Sequence, residues 1–234
     1  MSGSASGSSA MERKGRRAEG VRLRQAISPD VRAVWDRGIV THLEQGLVPP
    51  PTITAGFCWP YKAEFDARPV VTRWWQSGVR LALPRVQAKG QPLLFDEWYP
   101  DARMDAGAYG IPVPQGTREL VPDMILIPVN GFDGSGYRLG YGGGYFDRTL
   151  AAIQPRPVAV GLGYELLRID SLVPQSFDIP MDFVVTEAGL YARVNGALQK
   201  VDPAQGVAML TALLKDLGLP RGQTSDSADP PDRA

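Results

Sequence analysis

The sequence has one histidine, His42, and one cysteine, Cys58, in 234 residues. Serine–histidine–aspartate and cysteine–histidine catalysis both need an imidazole beside the nucleophile, and histidine-rich metal centres need several. His42 falls in a predicted helix and is expected on its outer face. A lone cysteine excludes an internal disulfide framework and suits a reducing cytoplasm, the expected location. Cys58 lies in an apolar, β-prone run and is expected to be a packing residue. No apolar run reaches the length of a membrane span, and none follows the early basic residues as a signal peptide requires. Net charge is also absent, because 25 Lys and Arg cancel 25 Asp and Glu. Nothing in the charge balance favours nucleic acid or an anionic membrane as partner. Any chemistry must therefore rest on carboxylates, cations, backbone amides and a bound ligand.

The apolar pattern, 44% of the chain, is enough for a sizeable core. Residues 1–10 are small and polar, and residues 221–234 are rich in Ser, Asp and Pro; both are expected to be disordered tails. A single domain is expected over residues 11–200, followed by a helical segment over 201–220. That last segment, amphipathic from Gly206 to Leu217, can pack on the body or stand apart. Ser28-Pro29 is a helix start, with Ser as N-cap and Pro at the first position. Val31, Val34, Trp35, Gly38, Ile39 and Leu43 follow at helical spacing. Strands are predicted over Thr52–Cys58, Val79–Leu83, Pro92–Trp98, Asp123–Val129, Pro157–Gly163 and Phe183–Thr186. Helices are predicted over Ala67–Gly78 and Tyr145–Ile153. The Asp123–Val129 run is almost continuously apolar, as a strand buried on both faces should be. Strands alternating with helices imply an α/β fold, a three-layer α/β/α sandwich with a mostly parallel, Rossmann-like sheet.

The densest motif is Arg138-Leu139-Gly140-Tyr141-Gly142-Gly143-Gly144-Tyr145-Phe146-Asp147-Arg148. Four glycines in five positions let main-chain N–H groups approach a ligand without a Cβ in the way. Flanking arginines offer guanidinium forks for phosphate oxygens, and an acid beyond the glycines can hold the accompanying cation. The loop is not a Walker A motif, since no Gly-Lys-Ser/Thr follows, and Tyr145 breaks the dinucleotide spacing. A glycine cluster can also be a tight turn, and Asp147 can simply favour a helix N-terminus.

With these residues read, the chain resembles the 5-formyltetrahydrofolate cyclo-ligase family. The resemblance spans roughly Ser28 to Glu187. It rests on Trp59-Pro60-Tyr61-Lys62-Ala63-Glu64, Gly78 to Val86, Tyr109-Gly110-Ile111-Pro112, Gly131-Phe132-Asp133, the glycine loop, and Pro174, Asp178 and Met181-Asp182 in order. It implies a sugar-phosphate isomerase- or CoA-transferase-like architecture. It also implies ATP- and Mg2+-dependent cyclisation of 5-formyltetrahydrofolate to 5,10-methenyltetrahydrofolate, by phosphorylation of the formyl oxygen and attack of N10.

By that resemblance Lys14, Arg17, Arg138, Leu139, Gly140, Tyr141, Gly142, Gly143, Gly144, Tyr145 and Phe146 bind ATP. Arg138 and Tyr145 serve the reaction, Glu64 binds the folate, and Asp147 and Asp178 bind Mg2+. Arg13 and Arg17 reproduce the family's four-residue spacing of cations. A reduced folate is the expected partner, and a monomer the expected state. Two departures stand out: Phe177 replaces a common histidine, and Arg16 a usual leucine. They leave open a folate- or nucleotide-binding paralogue with impaired turnover. A third reading, an α/β enzyme acting on sugar phosphates or coenzyme A, has fold analogy alone behind it.

Overall fold

The structure, a computed structural model, describes the backbone of residues 4–218 and the side chains of residues 11–218. The helices are α1 (Ser4–Gln25), α2 (Pro29–Gly46), α3 (Arg68–Gln76), α4 (Tyr145–Ala152) and α5 (Pro203–Asp216). The strands are β1 (Thr54–Gly56), β2 (Arg80–Val86), β3 (Leu93–Trp98), β4 (Met104–Ala106), β5 (Pro112–Pro114), β6 (Met124–Pro128) and β7 (Gly131–Asp133). They continue as β8 (Arg138–Leu139), β9 (Val158–Leu162), β10 (Arg168–Ile169), β11 (Phe183–Thr186), β12 (Gly189–Val194) and β13 (Ala197–Val201).

Eight strands form the main sheet in the order β13-β12-β11-β9-β6-β1-β2-β3. The centre, from β11 to β2, is parallel, and each edge is antiparallel. Apolar side chains alternate across it. Met124, Leu126, Val158 and Val160 face the core under α2, α3 and α5, while Ile125, Ile127 and Ala159 face α4. The second face is completed by a small sheet, β10-β7-β8, packed through Phe132, Leu167 and Met181. The mostly parallel α/β sandwich is thus present, with uneven outer layers.

Several predicted features differ in detail. Helix α1 begins at Ser4 and so reaches back into the segment expected to be an unstructured tail, whereas the expectation for 221–234 lies outside the described residues. Helix α5 does not stand apart, because Leu210 and Leu214 enter the main core with Leu43. Its start is fixed by a capping box between Asp202 and Gln205. In α2, Ile39 and Leu43 are buried, but Val31 and Val34 are exposed. The inward side of that first stretch mixes Trp35, packed against the Tyr164 ring, with Arg32, which donates to the Ala63 carbonyl at 2.8 Å and to the Tyr164 hydroxyl at 3.1 Å.

Helix α1 lies against β7 and the turn at Glu165–Leu167. Its contact is set by Gly20, where any methyl would overlap the Asn130 carbonyl oxygen. Gly15 on the same helix has open space around it. Gly20→Ala should therefore destabilise the protein by roughly 2 kcal/mol by overpacking. Gly15→Ala should instead stabilise it by up to about 1 kcal/mol through helix propensity. Urea unfolding of the two variants checks the opposite signs.

Candidate active site

The carboxyl ends of β1, β2 and β6 open onto a cavity of about 500 Å³, the place where open parallel sheets gather ligands. Strand β1 runs into the segment holding Cys58, Tyr61 and Glu64, while β2 supplies Leu83, Pro84 and Val86 to the wall. The β4–β5 hairpin adds Tyr109 and Ile111. Across from them stand the glycine loop and the guanidinium groups of Arg13, Arg17 and Arg138. One side of the cavity is apolar and the other is cationic.

Arg13, Arg17 and Arg24 fall on one face of α1 with Gly20, at the helical spacing i, i+4, i+7 and i+11. Arg13 pairs with Asp178 at 2.9 Å. The Arg17 guanidinium sits so close to the loop that a methyl on Gly142 would lie 3.3 Å from it. Burial, and then the neighbouring Arg13, lower the pKa of Arg17. The Nε atoms of Arg13, Arg17 and Arg148 are buried without hydrogen-bond partners. Such a surplus of donors and positive charge suits a polyanion.

Arg138 is buried, donating to the Ile179 carbonyl at 2.7 Å and to Asp147 Oδ1 at 2.9 Å. Burial lowers its pKa, against the raising effect of Asp147. Asp147 also accepts the Ile179 N–H, and Asp178 accepts the Gln175 N–H. The glycine loop turns through positive φ at Gly142 (93°) and Gly144 (65°), which frees the backbone from side-chain constraint before α4 starts. Tyr145 stands on the first turn of α4, with its hydroxyl 3.3 Å from that of Tyr109.

The other half of the cavity is organised by Arg24, only 1% exposed. It donates to the Lys62 carbonyl (3.0 Å), Asn130 Oδ1 (2.8 Å) and the Tyr141 hydroxyl (2.9 Å), and lies 3.6 Å from Glu64. Lys62 and Ala63 both have positive φ, a strained pair for residues other than glycine. Arg24 and Arg32 hold the carbonyls of these two residues and so fix the bend that presents Glu64. Glu64 accepts from the Tyr141 hydroxyl at 2.9 Å and from the Tyr61 N–H at 3.0 Å. Burial raises its pKa above the usual carboxylate range, outweighing the lowering by Arg24 and Tyr141. Cys58, expected to be a packing residue, is half-buried on the cavity wall. Burial, then the Glu64 charge, hold its thiol well above the usual value.

The model of the 5-formyltetrahydrofolate cyclo-ligase family matches residues 11–187. The chain belongs to this family. The 5-formyltetrahydrofolate cyclo-ligase of Escherichia coli strain K12 is 27% identical over 178 residues, 72% of this chain and 96% of that protein. A cyclo-ligase of Mycolicibacterium smegmatis is 37% identical over 120 residues, 47% of this chain and 60% of that one. The solved structure of Aquifex aeolicus 5,10-methenyltetrahydrofolate synthetase superposes with a TM-score of 0.68 at 25% identity, covering 81% of this chain and 96% of that one.

Of the residues the sequence nominated for this cyclo-ligase family member, Glu64, Arg17, Arg138, Gly140 to Gly144, Tyr145, Phe146, Asp147 and Asp178 line the one cavity. Two do not. Lys14 is exposed on a different side of α1 from Arg13 and Arg17, and Arg13 lines the cavity where Lys14 does not. Leu139 is buried in β8, where its carbonyl accepts the Asn130 N–H at 2.8 Å. Phe177 is 62% exposed at the rim, and the contacts of Asp178 do not involve its side chain. Among the described residues no group of three or more His, Cys, Asp and Glu could cage a metal. Two carboxylates on one cavity still fit Mg2+, which commonly takes one or two carboxylates and completes its shell with phosphates and water. No helix among the described residues is long and apolar enough to cross a membrane.

Arg24 was missed by sequence reasoning, although its spacing to Arg13, Arg17 and Gly20 was available as a signal. Arg24→Met should cost about 3 kcal/mol or more, since it leaves Glu64 buried without its cation. Adding Glu64→Gln should return at least about 1 kcal/mol of that loss, because contacting residues couple. Denaturation of the single and double variants measures both.

Proposed function

We propose that the protein is an ATP- and magnesium-dependent 5-formyltetrahydrofolate cyclo-ligase, producing 5,10-methenyltetrahydrofolate, ADP and phosphate. The observation that carries this reading is the sharing of one cavity by the glycine loop, three guanidinium groups and Glu64. Membership of the family supports it.

The chemistry needs no protein nucleophile. A formamide carbon is a poor electrophile because nitrogen donates into the carbonyl, and its oxygen cannot leave unaided. Transfer of the γ-phosphoryl group to that oxygen gives an imidate-like phosphate. N10 then attacks the carbon and loses its proton, the C–O bond breaks, phosphate departs with that proton and the ring closes. The protein must hold two substrates together and neutralise moving negative charge.

In this scheme the backbone of Gly140 to Gly144 cradles the triphosphate between Arg13, Arg17 and Arg138. Asp147 and Asp178 would hold Mg2+, which offsets phosphate charge when bound. Arg138 steadies the transferring group, and its pairing with Asp147 fixes the guanidinium plane. Tyr145 walls the reacting end together with Tyr109. Glu64 accepts hydrogen bonds from ring N–H groups of the pterin, and the apolar wall of Leu83, Val86 and Ile111 covers its flat face. The protein works as a monomer in the cytoplasm, so sedimentation should return the mass of one chain.

Incubation with 5-formyltetrahydrofolate, ATP and magnesium should generate the methenyl absorbance, and folded protein giving no ATP-dependent product would refute the reading. Arg138→Ala should lower turnover by about 100-fold, the scale of one lost transition-state donor. The raised pKa of Glu64 also sets a pH limit. Only the carboxylate accepts from a pterin N–H on both oxygens, so folate binding should weaken as pH falls through a value above the usual carboxylate range. A profile of KM against pH should show that acid limb, and Glu64→Gln should lose it.

A further inference from the structure

Between Leu139 and Tyr145 the glycine loop has a single side chain, that of Tyr141. Nothing lies within 4 Å of where a Cβ on Gly140 would stand, and Gly142 and Gly144 both occupy positive φ. The far end of the loop is held from α4, where Arg148 donates to the Gly143 carbonyl, while its near end is held through Tyr141. The hold on Tyr141 is on the other half of the cavity. The Tyr141 hydroxyl donates to Glu64 Oε1 at 2.9 Å and accepts from Arg24 at 2.9 Å, while its ring meets Tyr61 edge-on at 5.6 Å between centroids. Arg24 in turn holds the Lys62 carbonyl of the strained bend, and Asn130 where β6 leaves the sheet.

We propose that Tyr141 and Arg24 are positioning residues that couple the two ligand halves of the cavity, so that nucleotide on the glycine loop tightens the binding of reduced folate at Glu64. The inference rests on the functional reading given above, and it concerns a link between subsites that the reading itself does not require.

The sign follows from the carboxylate. Its two oxygens have about four acceptor positions. Tyr141 occupies one on Oε1, and the Tyr61 N–H one on Oε2. These contacts set the plane of the group and leave acceptor positions for a ligand. A phosphate chain that immobilises the loop immobilises Tyr141, which aligns Glu64 before the pterin arrives. The ordering cost is then met once and not twice, which is positive cooperativity. By linkage, the folate must tighten nucleotide binding by the same factor. Burial, then the Glu64 charge, also raise the phenol pKa of Tyr141, so the hydroxyl keeps the proton it donates.

The test is calorimetric. Titrate 5-formyltetrahydrofolate into the full-length protein with and without a non-hydrolysable ATP analogue and magnesium, and take the ratio of the two dissociation constants. The wild type should give a ratio of about 10, within the usual range for coupled sites. Tyr141→Phe keeps the ring against Tyr61 but removes the hydroxyl, and its ratio should fall below about 2. Arg24→Lys keeps the charge but loses the fork, and should do the same if it folds; if it does not fold, Tyr141→Phe alone decides. A side chain that only stabilised the fold would lower the melting temperature and leave the ratio untouched. A wild type that binds both ligands independently, or a Tyr141→Phe protein that keeps the wild-type ratio, overturns the coupling and spares the function. A wild type that binds neither ligand overturns the functional reading, and the coupling with it.

Discussion

A guanidinium sealed from water must find acceptors for its donors, and that requirement at Arg24 organises the cavity. Its fork reaches the Lys62 carbonyl, the Asn130 side chain and the Tyr141 hydroxyl, with the Glu64 carboxylate alongside. These acceptors come from a loop after β1, a loop after β6 and the glycine loop, which no single secondary element could bring together. An unpaired charge in such a place is far more costly than a weak surface ion pair, so the arrangement holds as a unit. The strained backbone at Lys62 and Ala63 persists on the same account, since two arginines take up the carbonyls it displays.

The cationic side of the cavity follows a different rule. Arg13 pairs with Asp178 and Arg138 with Asp147, and Arg17 stands on the same cavity wall. Burial disfavours the charges at Arg17 and Arg138. The stability of the fold alone would favour fewer such charges, whereas the proposed binding of a polyanion would use them. Local departures from the most stable choice are expected at functional sites. The close approach of α1 through Gly20 delivers these cations, for a larger residue would hold the helix away from β6 and β7.

Much of the sheet was legible because burial on both faces leaves unbroken apolar runs. The runs at Met124–Pro128, Val158–Leu162 and Phe183–Thr186 became its parallel centre, and Tyr145–Ala152 became the helix after the glycine loop. The hairpin of β12 and β13 was overlooked, although Asn195-Gly196, both at positive φ, is a familiar two-residue turn signal. The short strands β4, β5, β7, β8 and β10 have too few residues to establish a period. The glycine loop and Glu64 could be nominated from order along the chain, and they meet across one cavity. Helical phase, and not residue type, separates Lys14 from Arg24. Arg24 is inside because it repeats the phase of Arg13 and Arg17, and Lys14 is outside because it does not.

The partners of α1 lie far along the chain. Arg24 meets Asn130 across a separation of 106 residues, and Arg13 meets Asp178 across 165. A polypeptide leaving the ribosome therefore presents this basic helix long before its acceptors have been synthesised. Contacts so distant along the chain bear a larger entropy of loop closure than the local pairings of the sheet edges. During that interval the stripe of arginines is open to any anionic surface nearby.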